Sequence, residues 1–199
     1  MAQNAAGHQA LNICLGPGWF KQFNGGLADG PSYHPKLGWG GGLDYNYALT
    51  AALEVKVGVR YHQSVIVEES GGEFYWPSEI STGVYIYDPT LPHSFTKKLH
   101  VQTWQYLLGT RLYLGPLKTW RWYANLECGL SRSKQDQAPE LSAPDLTGGL
   151  GIGLQWLPAG KRFGMFLQPA LRYVISGHFD SYAVAAVEVG LRTQLFTGK

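Results

Sequence analysis

The feature that most constrains this chain is a two-residue alternation whose two faces differ in kind. Over 53–62 one parity reads Leu53, Val55, Val57, Val59 and Tyr61, and the other Glu54, Lys56, Gly58, Arg60 and His62. Trp120, Trp122, Ala124, Leu126, Cys128 and Leu130 alternate with Arg121, Tyr123, Asn125, Glu127, Gly129 and Ser131. Near the end, Val187, Val189, Leu191, Thr193 and Leu195 alternate with Glu188, Gly190, Arg192 and Gln194. Successive side chains of a strand point to opposite faces, so such stretches are strands with one apolar face, and helical spacing competes with none of them. Five weaker segments share the pattern, which gives eight strands at approximately 9–16, 38–47, 51–62, 99–114, 120–131, 146–156, 163–173 and 183–196. Two irregularities are expected. Leu99 and Val101 fall on the opposite parity from Trp104, Tyr106 and Leu108, which predicts a bulge near Thr103. Pro169 has no N–H to give a ladder, which predicts a second bulge around it.

The connections alternate in length. Short turns are expected at 48–50, 115–119 and 158–162, and longer loops at 17–37, 63–98, 132–144 and 174–182. An even number of strands of about 10 residues, with tight turns at one end and long loops at the other, describes a transmembrane barrel. The fold class read from the chain is therefore all-β: an eight-stranded antiparallel up-and-down transmembrane β-barrel with long extracellular loops. It occupies 1–199 as a single domain.

A soluble eight-stranded barrel of the lipocalin kind has the same strand count, so the sign of the pattern has to be decided. If the apolar parity faced inward, the barrel would have to hold Trp39, Tyr45, Tyr47, Trp104, Trp120, Trp122 and Trp156 together with the aliphatics. Eight strands leave room only for side-chain filling or one small ligand. The opposite parity would then be a wet surface rich in glycine, which weakens strands without benefit there. With the apolar parity outward against lipid, both difficulties disappear. Glycines then make space inside for Asp44, Glu54, Lys56, Arg60, Arg111, Arg121, Glu127, Arg172, Glu188 and Arg192. A charged residue on the lipid side would cost about 2–4 kcal/mol near the midplane, and none falls there within these stretches.

Composition agrees with that assignment. Glycine is 26 of 199 residues and charged residues only 15%, too much glycine and too little charge for a soluble helical protein. A hydrophobic content of 45% excludes disorder. The formal charge of +2 offers no basic field for nucleic acid. No apolar run reaches the roughly 18 residues of a transmembrane helix. The opening residues 1–20 lack charge, but Asn4, His8, Gln9, Asn12 and Pro17 interrupt them and no basic stretch precedes them, unlike a secretion signal. Cys14 and Cys128 have no metal-ligand spacing and read as small apolar filler; no cofactor is expected.

The segments GWGGGLDYNYALTAALEVKVGVRYHQ, WRWYANLECGLSRS, LTGGLGIGLQW and the closing VEVGLRTQLF resemble the PorT-like small outer-membrane β-barrel proteins of Gram-negative bacteria. These share the eight-stranded architecture of the OmpA and OmpX barrels. The resemblance is one of pattern over nearly the whole chain and carries no catalytic motif. It implies location in the bacterial outer membrane, and partnership with a larger outer-membrane machine such as a secretion or uptake complex. It also implies a cleaved secretion signal, so the start near Ala2 and Gln3 is expected to be a mature terminus with an added or residual Met1. Such barrels end on an aromatic residue; here Phe196 is followed by Thr197, Gly198 and Lys199.

Three sets of residues are candidates for function. The lumen charges named above are expected to pair across adjacent strands as a structural network, with ion or proton passage as the lesser reading. Tyr45, Tyr47, Trp120, Trp122 and Trp156 beside the short turns, and Trp39, Tyr61, Trp104 and Tyr173 toward the long loops, are expected to form two interfacial belts. Trp19, Phe20, Phe74, Tyr75 and Trp76, in the two longest loops, are candidates for a recognition surface, and GVYIYD within 63–98 suggests a hairpin beyond the membrane.

The function expected is therefore that of a non-enzymatic outer-membrane barrel, a structural, surface-binding or assembly component. Its partners would be outer-membrane lipid and lipopolysaccharide, and another outer-membrane protein. One alternative is a lipid A deacylase, since some eight-stranded barrels act on lipid A with a His and a Ser near the extracellular rim. Ser176, His178, Asp180 and Ser181 lie in LRYVISGHFDSY, but Ser181 follows His178 by three positions and does not match the His-x-Ser pattern. A soluble lipocalin-like ligand carrier is the second alternative.

Overall fold

A computed structural model describes residues 6–22, 32–35, 37–71, 94–115, 119–135, 144–158, 160–175 and 181–196. Its strands are β1 (Gln9–Gln22), β2 (Ser32–Pro35), β3 (Leu37–Ala48), β4 (Leu53–Gly71), β5 (Ser94–Leu114), β6 (Trp120–Gln135), β7 (Asp145–Trp156), β8 (Phe163–Ile175) and β9 (Tyr182–Phe196). Each pairs antiparallel with its neighbours, and β1 pairs with both β3 and β9, closing the sheet into a barrel. β2 and β3 lie one after the other along β4, and their register steps by one residue across position 36. The nine segments therefore make an eight-stranded antiparallel closed barrel. Closure pairs each of the eight barrel strands on both sides, as backbone in hydrocarbon requires.

The alternation in the sequence becomes an alternation of inside and outside. Along β8, Phe166, Gln168, Ala170, Arg172 and Val174 are buried, whereas Phe163, Met165, Leu167, Leu171 and Tyr173 are exposed. The largest fully buried side chains are Arg60, Arg111, Arg172 and Arg192, while Leu15, Trp39, Leu126 and Phe163 are each about two-thirds exposed. This is the reverse of a soluble barrel and rules out the ligand-carrier alternative, because only a bilayer can solvate such a wall. Two glycines show how the narrow interior accommodates large groups. A Cβ on Gly153 would run into the Tyr123 ring, and one on Gly40 into the His62 imidazole.

Neither expected bulge occurs. β5 keeps one register from end to end against β4, and against β6 over all its paired residues. Thr103 and Gln105 still face in; Gln102, His100 and Lys98 still face out. What changes at Trp104 is the surrounding medium: above it the outward positions are polar because the strand has left the hydrocarbon. At Pro169 the register with β9 is continuous, and the pairing of β8 with β7 lapses only opposite residues 152 and 153. The missing N–H removes ladder bonds there without inserting a residue. The register shift that does occur lies at the closing seam, where Gln9 pairs with Phe196 and Ala10 with Gln194.

Several strands outrun their expected limits. β1 continues through Gly16, Pro17 and Gly18 to Gln22, so Trp19 and Phe20 are strand residues instead of loop residues. Gly and Pro read as turn signals, but Gly16 is required by packing: a Cβ there would meet the Val187 carbonyl of β9. β4 and β5 stay paired as far as Gly71 opposite Ser94, a two-stranded extension well beyond the Tyr61 and Trp104 rung.

Candidate functional site

The lumen charges come from alternate positions of β3, β4, β5, β6, β8 and β9, and all ten are buried. Arg60 holds Asp44 with two parallel bonds, Nη1 to Oδ1 at 2.5 Å and Nη2 to Oδ2 at 2.7 Å. Its Nε reaches across to Glu188 Oε1 at 3.0 Å. Arg172 joins the same Glu188 oxygen through Nη2 at 2.7 Å and Glu127 Oε2 through Nε at 2.9 Å. Lys56 closes the far end on Glu127 Oε1. The result is a chain of alternating sign: Asp44, Arg60, Glu188, Arg172, Glu127, Lys56. A separate fork, Arg192 Nη2 and Nη1 on Glu54 at 2.6 and 3.1 Å, lies nearer the short-turn end.

The expected pairing across adjacent strands holds for only part of this network. Of the six ion pairs among the described residues, Arg60 with Asp44 and Arg172 with Glu188 join neighbouring strands; Lys56 and Arg172 each reach Glu127 past one strand, and Arg60–Glu188 and Arg192–Glu54 reach past two. In so narrow a barrel, a long side chain reaches past its neighbouring strand. These pairs join four cations to four carboxylates. The other two cations lie on rings: Arg111 over Tyr123 at 4.3 Å, and Arg121 over Tyr113 at 4.2 Å from the centroid. Arg111 Nε also donates to Asn125 Oδ1 at 3.2 Å, and Arg121 Nη2 to the Ala51 carbonyl at 3.2 Å.

A polar scaffold that the sequence reading passed over ties the two tiers together. Gln168 donates to Glu188 Oε2 at 3.3 Å, and its carbonyl oxygen accepts from Tyr123 Oη at 3.2 Å and from Asn125. Tyr113 Oη lies 2.8 Å from Gln155 Oε1 and 3.2 Å from Glu54 Oε2. Tyr113, Tyr123, Gln155 and Gln168 all sit on the parity of the lumen charges, and that shared parity was the signal that could have found them. Chemically the arrangement pairs eight of the ten lumen charges with one another, sets the other two on tyrosine rings, and packs the interior with side chains. Among the described residues no group of three or more His, Cys, Asp or Glu could hold a metal ion.

Outside, the aromatics fall into two groups. Trp120 and Trp156 are paired residues with rings 6.1 Å apart beside the short turns, and Trp122, Tyr45 and Tyr47 face out toward the same end of their strands. Tyr61 and Trp104 are paired toward the long loops with rings 4.7 Å apart, and Trp39 and Tyr173 also face out on their strands. Trp19 faces out from β1, about half exposed. Phe74, Tyr75, Trp76, Ser176, His178 and Asp180 lie outside the described residues.

An apolar wall around a polar core whose charges are mostly paired with one another defines a transmembrane β-barrel of the outer-membrane type by architecture. No protein-family model matches the chain, and no curated protein matches its sequence. Solved structures do match its shape. Neisserial surface protein A superposes with a TM-score of 0.64 at 9% identity, over 94% of this chain and 97% of that one. The outer membrane protein OprG from Pseudomonas aeruginosa superposes with a TM-score of 0.56 at 10% identity, over 99% and 100%. At such identities the likeness is one of fold.

Proposed function

We infer that the protein is a closed, non-enzymatic anchor of the bacterial outer membrane, which holds a projecting β4–β5 extension and its loops above the surface for contact with partners. The observation that carries this reading is the filled lumen: six ion pairs occupy the cross-section that a solute would need. The partners within this reading are the lipids of the outer leaflet, lipopolysaccharide among them, and another outer-membrane protein. The PorT-like resemblance of the strand segments supports the latter as a larger assembly that this barrel serves as an accessory component.

The test has two arms. Reconstituted into planar bilayers, the barrel is expected to show no steady single-channel conductance; a stable open level would overturn the closed-anchor reading. In the native membrane, a variant with residues 73–92 replaced by a short turn is expected to keep heat-modifiable migration on SDS gels but to lose the proteins that co-purify with the full chain in mild detergent. An unchanged set of co-purifying proteins would remove the hairpin from the reading. A lipid A profile that differs between wild-type and deletion cells would replace the anchor with an enzyme.

A further inference from the structure

One stretch of the outer wall departs from the plain apolar surface of the rest. Two rungs of paired residues cross β3, β4, β5 and β6, and a third crosses β4 and β5, just below and above the upper aromatic belt. The lowest runs Gly41, Tyr61, Trp104, Arg132; the next Trp39, Gln63, Gln102, Lys134. In the third, Val65 faces His100, and Lys98 lies one step beyond on β5. All these side chains point outward, and Lys98, His100, Arg132 and Lys134 are exposed. Barrel strands tilt across the bilayer, so a rung perpendicular to them climbs through it. The residue types follow that climb: Gly41 and Trp39 on β3, aromatic rings and then amides on β4 and β5, and cations on upper β5 and on β6.

At the low end of the rungs the wall is hollow. A cleft of about 530 Å³ opens between β1, β3 and β4, lined by Leu15, Trp39, Gly41, Tyr61, Gln63 and Val65 among others. Its floor is low because Gly41 has no side chain; a Cβ there would lie 2.8 Å from Leu15 Cδ2. A groove in a lipid-facing wall at this depth takes an acyl chain. At the high end, four basic side chains stand on two adjacent strands. Along the β4–β5 pairing the nearest acidic residues are Glu68, opposite Lys97, and Glu69, opposite Thr96, both farther out than Lys98. Between groove and cations, Gln63 and Gln102 face each other beside the Tyr61 and Trp104 rings, which are 4.7 Å apart. Amides next to aromatic faces suit hydroxylated sugar, not a second hydrocarbon chain.

We propose that this face of β3–β6 is a docking site for a phosphorylated, acylated glycolipid of the outer leaflet, of the lipid A type. One acyl chain fills the cleft over Gly41, the sugar lies on the Gln63 and Gln102 amides, and phosphate meets Lys98, His100, Arg132 and Lys134. The sequence of chemistries along the rung separates this ligand from an ordinary anionic phospholipid, which brings phosphate and tail but no sugar to span the amides. The proposal rests on the reading of the chain as a barrel in the outer membrane and names the lipid partner left general there.

The test uses the full chain in uncharged detergent micelles. Lipid A, enzymatically dephosphorylated lipid A and phosphatidylglycerol are added in turn, and bound lipid is read by native mass spectrometry. Lipid A is expected to be retained about tenfold more tightly than either of the others, as several charge-assisted contacts to phosphate imply. The K98Q/R132Q/K134Q variant is expected to lose that preference and the charge-retaining K98R/R132K/K134R variant to keep it. The G41F variant, which fills the cleft from outside, is expected to weaken lipid A retention with the phosphate contacts intact. Equal retention of phosphatidylglycerol, equal retention of the dephosphorylated form, or an unchanged glutamine variant would each overturn the site. Heat-modifiable migration is followed in every sample. A wild-type chain that lacks it, or that is soluble without detergent, would instead defeat the membrane-barrel reading on which the site depends.

Discussion

At the scale of single residues, this barrel depends on charges that have no water to fall back on. Glu188 is 3% exposed and holds Arg60, Arg172 and Gln168 at once. Removing such a partner leaves uncompensated buried cations, so Glu188→Ala is expected to lower stability by about 3–5 kcal/mol, measured by denaturant titration of tryptophan fluorescence in lipid vesicles. Glycines give a paired comparison. Gly153→Ala pushes a methyl into the Tyr123 ring and is expected to cost about 1–3 kcal/mol. Gly148→Ala meets nothing nearer than the Glu127 carbonyl at 3.8 Å and is expected to be neutral, or stabilising by up to about 1 kcal/mol. Parity in the sequence was enough to put Arg60 and Glu188 on one face. It could not say that they meet across the lumen, nor that Arg111 and Arg121 would lie over tyrosine rings, because sequence order does not tell which walls of a narrow barrel touch.

At the scale of strands, the informative feature is where the outward positions change character. On β6 the outward series reads Leu126, Cys128, Leu130 and then Arg132, Lys134, with the pairing unbroken throughout. The same change on β5 looked in the sequence like a slip of register at Thr103, because a parity flip and a change of solvent give the same string of letters. Only the hydrogen-bonded ladder separates them. The expected consequence is a steep contrast between two arginine substitutions on neighbouring strands. Leu126→Arg, in the hydrocarbon, is expected to cost about 2–4 kcal/mol, whereas Gln102→Arg, above it, is expected to cost close to nothing. Unfolding titrations in vesicles of one composition would check both; equal costs would mean that the wall at Gln102 is also in hydrocarbon.

At the scale of the whole molecule, stability depends on closure, and closure depends on the seam between β1 and β9. Gly16 lies against the Val187 carbonyl there, so Gly16→Val is expected to force the strands apart and abolish heat-modifiable migration on SDS gels, while the same change at Gly148, on the lipid side, leaves it intact. By itself the sequence determined the solvent of this protein and the strand count, since a period of two with bulk on one parity and glycine with charge on the other admits only a lipid-facing barrel of narrow bore. It also determined which end carries the short turns, because those turns leave too few residues for anything but a hairpin. Tertiary structure decided the rest: which charge meets which across the lumen, how far β4 and β5 project, and that a cleft, a pair of amides and a basic edge share three rungs of the wall. Those are relations between strands distant in the chain, set by the shear and tilt of the closed sheet, and no single strand records them.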